Sequence, residues 1–263
     1  DRKKSHGPIL SSIHPARNQL NPMKVTLLAL RDQAPSIDHA ISVVDCGSSD
    51  GSDQFLTAQA QGGAMSRVLR MVRNTDSTGR TPARNQGAHL ARGRYLMFLD
   101  PGMVVGPGWW EALVRTLDKD PQVGAVSGKV ILPDGRIDHA GLALLEWWED
   151  TDGDRSYGHR LTGRSLLAGK PADVSPSNFP AKIQALCGEA MMVRAAAFFT
   201  VGGFSARLGR SHQQNKPDFT GDLAGLDLSL RLGCRGWDCV YRHESVMTRL
   251  RFSTQDTAPT DDL

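Results

Sequence analysis

The chain has 263 residues, 40% of them apolar and 22% charged. That composition excludes collagen-like, low-complexity and wholly disordered chains. Lys plus Arg is 31 against Asp plus Glu 28, a net charge of +3; the balance is too even to make nucleic acid a partner, and the basic start Arg2-Lys3-Lys4 is too short to change that.

Residues 9–13 form a short apolar run that reads as a strand. Residues 21–34 carry apolar side chains at helical spacing, with Asn21 as the expected N-cap and Pro22 as the first helical residue. A strand over 40–45 ends in Asp45, and a helix over 52–61 and a strand over 67–72 follow. Thr81-Pro82 opens a helix that runs to about Arg92, and residues 95–100 (YLMFLD) form an almost fully apolar strand that ends in Asp100. Such a run belongs in a sheet covered on both faces. Residues 107–110 (PGWW) read as a helix start with core tryptophans.

The second half differs. Residues 123–132 and 136–145, joined by Pro133-Asp134-Gly135, read as a hairpin. Residues 147–180 are polar, rich in Gly, Pro and Asp, and read as a long loop. A strand over 183–195, a helix over 226–235 and a strand over 239–247 complete the chain. Strand-helix alternation predicts an α/β architecture with a parallel sheet, whose ligands lie at the carboxyl ends of the strands. Asp45 and Asp100 stand at two such ends.

The expected organisation is one domain over 1–252 with a polar tail over 253–263. Because the chain starts at Asp1 rather than Met, it reads as a piece of a longer protein. It has no apolar run of about 18 residues and no signal-peptide pattern. Cys46, Cys187, Cys234 and Cys239 have no metal-type or redox spacing. Four reduced thiols and a cytoplasmic protein are the expectation, with peripheral attachment to the inner membrane face left open.

Six segments in order carry a resemblance: VVDCGSSDGS (43–52), PARNQGAHLARGRYLMFLD (82–100), PGWWEAL (107–113), ILPDGRIDHAG (131–141), CGEAMMVRAAAFFTVGGF (187–204) and DLSLRLGCRGW (227–237). Together they resemble glycosyltransferase family 2. The likeness covers residues 8–250 and implies a GT-A fold: a Rossmann-like, mostly parallel central sheet flanked by helices. It implies a nucleotide-diphosphate sugar of UDP or dTDP type as donor, a glycan or polymer as acceptor, and Mn or Mg as cofactor. Asp45 matches the acid that contacts the base, Pro15 and Arg17 the loop that packs on it, and Arg84 (with Asn85) the turn near the phosphates. Asp100 matches the first acid of the DxD motif. The residues alone also allow plainer roles: Asp45 and Asp50 as turn and cap residues, Arg84 as a helix surface residue, Asp100 as a turn residue and His139 as a hairpin residue.

The sequence departs from that pattern where the metal and the proton transfer are expected. Gly102 replaces the second acid of DxD, Ala224 and Gly225 stand where an acid pair is expected, and Arg249 replaces a histidine. No residue is therefore assigned to a metal. Two readings follow. The domain is inactive or strongly altered and serves as a binding or scaffold module beside an active transferase domain or subunit. Alternatively, it transfers sugar without metal, with Arg249 and Arg84 or Arg17 offsetting the diphosphate charge and Asp222 as the base, ahead of Glu189 and Asp218. Asp227 is expected to cap its helix or pair with Arg231.

Overall fold

The computed structural model describes residues 8–75, 79–150, 157–206, 208 and 223–252, with backbone only at 146–150 and 157–162. Asp222, Asp218 and the tail over 253–263 lie outside the described residues.

The first half builds the core of a sheet. β1 (Leu10–Ala16) pairs in parallel with β2 (His39–Cys46) on one side and β4 (Tyr95–Leu99) on the other; β3 (Leu69–Asn74) extends the sheet beyond β2. The helices α1 (Leu20–Asp32), α2 (Ser52–Gln61) and α3 (Arg80–Leu90) make the crossovers. All five residues of β4 are buried. They alternate between two hydrophobic clusters, Tyr95, Met97 and Leu99 on one face, Leu96 and Phe98 on the other. A strand buried on both faces needs no polar alternation, which is why YLMFL is unbroken.

The second half closes over this sheet. β6 (Val123–Ile131) runs parallel to β12 (Asp238–Arg249), and β11 (Ala190–Arg194) lies antiparallel between β6 and β4. The full strand order is β10-β12-β6-β11-β4-β1-β2-β3, where β10 is Ala181–Lys182. Short β5 (Met103–Val105) adds to β12 and β7 (Ile137–His139) to β6. α4 (Glu111–Lys119), α5 (Ala195–Thr200) and α6 (Leu223–Gly233) pack on the faces. Trp109 is buried at the approach to α4 and its indole N–H donates to the Gln33 carbonyl at 3.2 Å, as expected of a core tryptophan. The architecture is the mixed α/β sheet that the sequence predicts, and none of the four cysteines is in a disulfide. Among the described residues no helix is long and apolar enough to cross a membrane.

Several local expectations are corrected. α1 starts at Leu20 with Gln19 as its cap, not at Asn21, because a remote acid does the capping: the Leu20 N–H donates to Asp50 Oδ2 at 2.9 Å. α3 starts at Arg80 after Gly79. Pro22 and Pro82 therefore sit at the third helical position, within the first turn, where a missing N–H still costs no helical bond. The hairpin over 123–145 is short: Val130 pairs His139 and Ile131 pairs Ile137, after which the chain leaves. Residues 147–180 are not one long loop. β8 (Leu142–Asp150) and β9 (Tyr157–Ser165) form a separate two-stranded antiparallel sheet, followed by a 3-10 turn at Ser175–Asn178. The strand expected over 183–195 shrinks to β11; residues 183–189, after β10, are irregular, and α5 begins at Ala195.

Candidate functional site

The loops after β1 and β2 lock to each other. Asp45 is fully buried, and both its oxygens are taken by Ser48, one by the backbone N–H at 3.2 Å and one by the hydroxyl. Ser48 Oγ in turn accepts the Asn18 N–H at 2.9 Å, and Asn18 Oδ1 accepts the Ser49 N–H at 2.8 Å. Asp50 binds the Ser52 N–H at 3.0 Å as well as Leu20, so one carboxylate caps both α1 and α2. Asp45 and Asp50 thus hold the turn and cap roles that the residues alone allow. Pro15 is buried beside Val44 in register, while Arg17 is exposed at the loop's edge.

Asp100, at the end of β4, sits between two arginines from α3. Arg84 is 1% exposed, and its Nη2 donates to Asp100 Oδ1 at 2.8 Å; the more exposed Arg80 reaches Oδ2 at 3.1 Å. Burial pushes the Asp100 carboxyl up, but Arg84 and Arg80 outweigh it and hold it below the usual carboxylate range. Arg84 also lies over the Phe204 ring at 5.3 Å. It is not the helix surface residue that sequence alone allowed.

Gly102 follows in a left-handed turn with φ +93°. Its N–H is shared between Pro22 O (3.1 Å) and Thr26 Oγ1 (2.9 Å), and a Cβ would approach Leu250 O to 3.1 Å. A side chain at this position is strained and crowded.

Next to Asp100, joined by its N–H to the Glu189 carbonyl at 3.0 Å, lies a cleft of about 700 Å³. Arg136, Arg164, Arg249 and Arg251 line it, with Asp138 and Glu189 between them. Arg249 contacts Asp138 at 3.0 Å through Nη1 and Glu189 Oε1 through Nη2, and Arg251 approaches Asp138 at 3.6 Å. Arg136 is paired with Asp134 at 2.6 Å, and the other three guanidiniums against two carboxylates leave a surplus of positive charge, suited to an anion. His139 and Cys187 lie on the same wall. The rim over 166–178 is held to the sheet by buried Lys129, whose ammonium donates to Ala172 O at 2.6 Å and Asn178 Oδ1 at 2.8 Å.

On the far side of this wall, α6 packs so close to residues 186–188 that a Cβ on Gly225 would collide with the Gly188 backbone nitrogen and stand 2.5 Å from Leu186 O. Ser229 Oγ fixes the contact, accepting the Leu186 N–H at 3.0 Å and donating to Gly225 O at 2.7 Å. Asp227 pairs with Arg231 at 2.5 Å, one helical turn on.

The structure therefore brings Arg84 and Asp100 into one buried pair and leaves Asp45, Pro15 and Arg17 on the neighbouring strand ends. Sequence reasoning gave Glu189 only minor weight and did not single out Asp138, Arg136, Arg164 or Arg251. Their convergence depends on β7 folding back on β6, which spacing along the chain does not reveal.

The family model described as Glycosyl transferase family 2 matches residues 11–180. An uncharacterized protein, y4gI of Sinorhizobium fredii, is 25% identical over 247 residues, 91% of this chain and 25% of its own length. The O-antigen biosynthesis protein RfbC of Myxococcus xanthus is 29% identical over 175 residues, 63% of this chain and 12% of its own length. The chain thus spans a quarter or less of the length of these curated relatives. Among solved structures, a mannosyltransferase from Pyrobaculum calidifontis in complex with GDP-Man and Mn2+ superposes with TM-score 0.63 at 19% identity, over 93% of this chain and 57% of its own. GalNAc-T7 with UDP, GalNAc and Mn2+ gives TM-score 0.61 at 15% identity, over 93% and 44%. Both share the fold.

Proposed function

The chain belongs to glycosyl transferase family 2, and on that premise we propose that it binds a nucleotide-diphosphate sugar in the cleft beside Asp100, with arginines in place of a metal ion. The observation that carries this is the state of Asp100: both its oxygens rest on guanidiniums. The Mn2+ or Mg2+ that the family implies does not fit these residues. A hard divalent cation wants several oxygens; here Asp100 is neutralised, Gly102 offers no side chain in a turn that disfavours one, and Arg249 is itself a cation. No step is routed through such an ion.

The donor diphosphate lies against Arg249, Arg164 and Arg251, whose charge offsets its own. Asp45, Pro15 and Arg17 border the base, and Asp100 with Arg84 fixes the floor of the pocket. The donor is of UDP or dTDP type. Within a longer protein the domain serves as a binding or scaffold module beside an active transferase domain or subunit.

A second reading rests on Asp138 and Glu189, carboxylates within the cleft that can take a proton from an acceptor hydroxyl. In it the domain transfers sugar to a glycan or polymer without metal; the O-antigen name of one relative supports an acceptor of that class. Asp222, the base expected from sequence, stays a candidate of this reading.

Calorimetric titration with UDP, dTDP and GDP, with EDTA and with Mn2+, tests the first reading. Binding that is equal in both media and weakened in Arg249→Ala is expected; tenfold tighter binding with Mn2+ overturns it. Release of nucleotide from a sugar donor in EDTA, lost in Glu189→Gln or Asp222→Asn, selects the second.

A further inference from the structure

The cleft wall holds a cluster of which only Glu189 enters a reading given above, as a proton acceptor. His139 ends β7, and Cys187 and Glu189 flank Gly188 on the approach to β11. Cys187 Sγ stands 3.1 Å from Glu189 Oε1, and His139 Nε2 stands 3.5 Å from the same oxygen. One donor atom from each of the three residues lies within 4.8 Å of the others. Donors around a tetrahedral zinc, each at about 2.0–2.3 Å, stand roughly 3.3–3.8 Å apart. The three are therefore near coordination spacing already.

We propose that His139, Cys187 and Glu189 form a three-ligand site for a borderline transition ion, zinc foremost, with its fourth position open to the cleft. A sulfur, an imidazole nitrogen and a carboxylate oxygen make a donor set for Zn2+ or Co2+ rather than for Mn2+ or Mg2+. Three protein ligands and one open position is the pattern of an ion that binds water or an anionic ligand, not of a closed structural site. None of the three ligands is Asp100, Gly102 or Arg249, so the donor set differs from the one that the family implies, although Arg249 contacts Glu189 and must release Oε1 to the ion.

The surrounding contacts hold the ligands in place. The Asp100 N–H anchors the Glu189 carbonyl, Ser229 and Gly225 brace residues 186–188, and the Val130–His139 pair fixes β7. Arg249 contacts Glu189 Oε1 and also holds Asp138. When the ion takes Oε1, Arg249 keeps Asp138 as its partner, and the carboxylate exchanges one cation for another. The Cys187 thiol gives its proton to solvent as sulfur binds the ion.

Titration of the EDTA-treated whole chain with Co2+, read by visible and near-ultraviolet absorption, is the test. Expected are one Co2+ per chain, an intense four-coordinate band and a thiolate charge-transfer band, both removed by one equivalent of Zn2+. Cys187→Ser loses the charge-transfer band, His139→Gln weakens Zn2+ binding at least tenfold, and Cys234→Ser, at an exposed cysteine, changes neither. A weak six-coordinate spectrum in the wild type overturns the assignment, and so does a charge-transfer band that survives Cys187→Ser. If circular dichroism shows that Cys187→Ser does not fold, the wild type and His139→Gln decide. Nucleotide titration on the same samples keeps the two sites apart, since donor binding can fail while Co2+ binds, and the reverse.

Discussion

Arg84→Met is the substitution that bears hardest on the Asp100 pair. The guanidinium is 1% exposed and 2.8 Å from Asp100 Oδ1, so its removal leaves a buried carboxylate with Arg80, whose side chain is 59% exposed, at 3.1 Å, and the more distant charge of Arg249. Breaking one side of a buried ion pair costs about 3–5 kcal/mol. Arg80 remains, and methionine refills most of the volume beside Phe204, which brings the expected loss to about 2–4 kcal/mol. In a domain of this size that lowers Tm by roughly 5–15 °C. Urea denaturation of wild type, Arg84→Met, Asp100→Asn and the double variant measures it, with a coupling of about 1 kcal/mol or more between the two sites. The arginines hold the Asp100 pKa below its unfolded value, so the pair's contribution is full above about pH 4 and is lost as pH falls through the lower folded value. The gap between wild type and Arg84→Met must therefore narrow on acidification. A loss under about 1 kcal/mol, or an equal loss in the Asp100→Asn background, refutes the pairing as the source of the stability.

Other expectations are simpler to state. Burial pushes His14 down to about 4. Below its unfolded value of about 6.5 the unfolded chain takes up a proton that the native one refuses, so stability falls by about 3 kcal/mol between pH 6.5 and 4; His14→Gln should flatten that slope in a Tm-against-pH series, and parallel slopes would show that another group is responsible. Gly225→Asp, which restores an acid at a position where the family resemblance expects one, drives a Cβ into the backbone of residues 186–188. It should cost at least about 1–3 kcal/mol by overpacking, read as a lower Tm; an unchanged Tm would mean that α6 shifts freely.

How far the fold could be read in advance depended on where the signal lay. α2 falls on the expected residues, and β4 is evident because five apolar residues in a row serve both faces of the sheet. β9 (YGHRLTGRS) was hidden because it has few apolar residues and takes its order from backbone pairing with β8. β5, at three residues, is too short to show a period. α1 starts two residues ahead of the expected position because Asp50, 30 positions away, supplies the N-terminal partner that Asn21 would otherwise provide. In the site, Asp100 and Arg84 were visible as motif residues. Asp138 and His139 lie some fifty residues from Glu189 in the chain and meet it only because β7 and β11 both border β6.

The Lys129 ammonium has a consequence for how ligands reach the cleft. A single amine rooted in the central sheet grips the rim at both Ala172 and Asn178. Backbone bonds to Gly135, Ile137 and Gly141 and the Tyr241 hydroxyl hold the same segment, so the rim is moored at several points, not hinged. Ligand capture here calls for a vestibule already cut to shape.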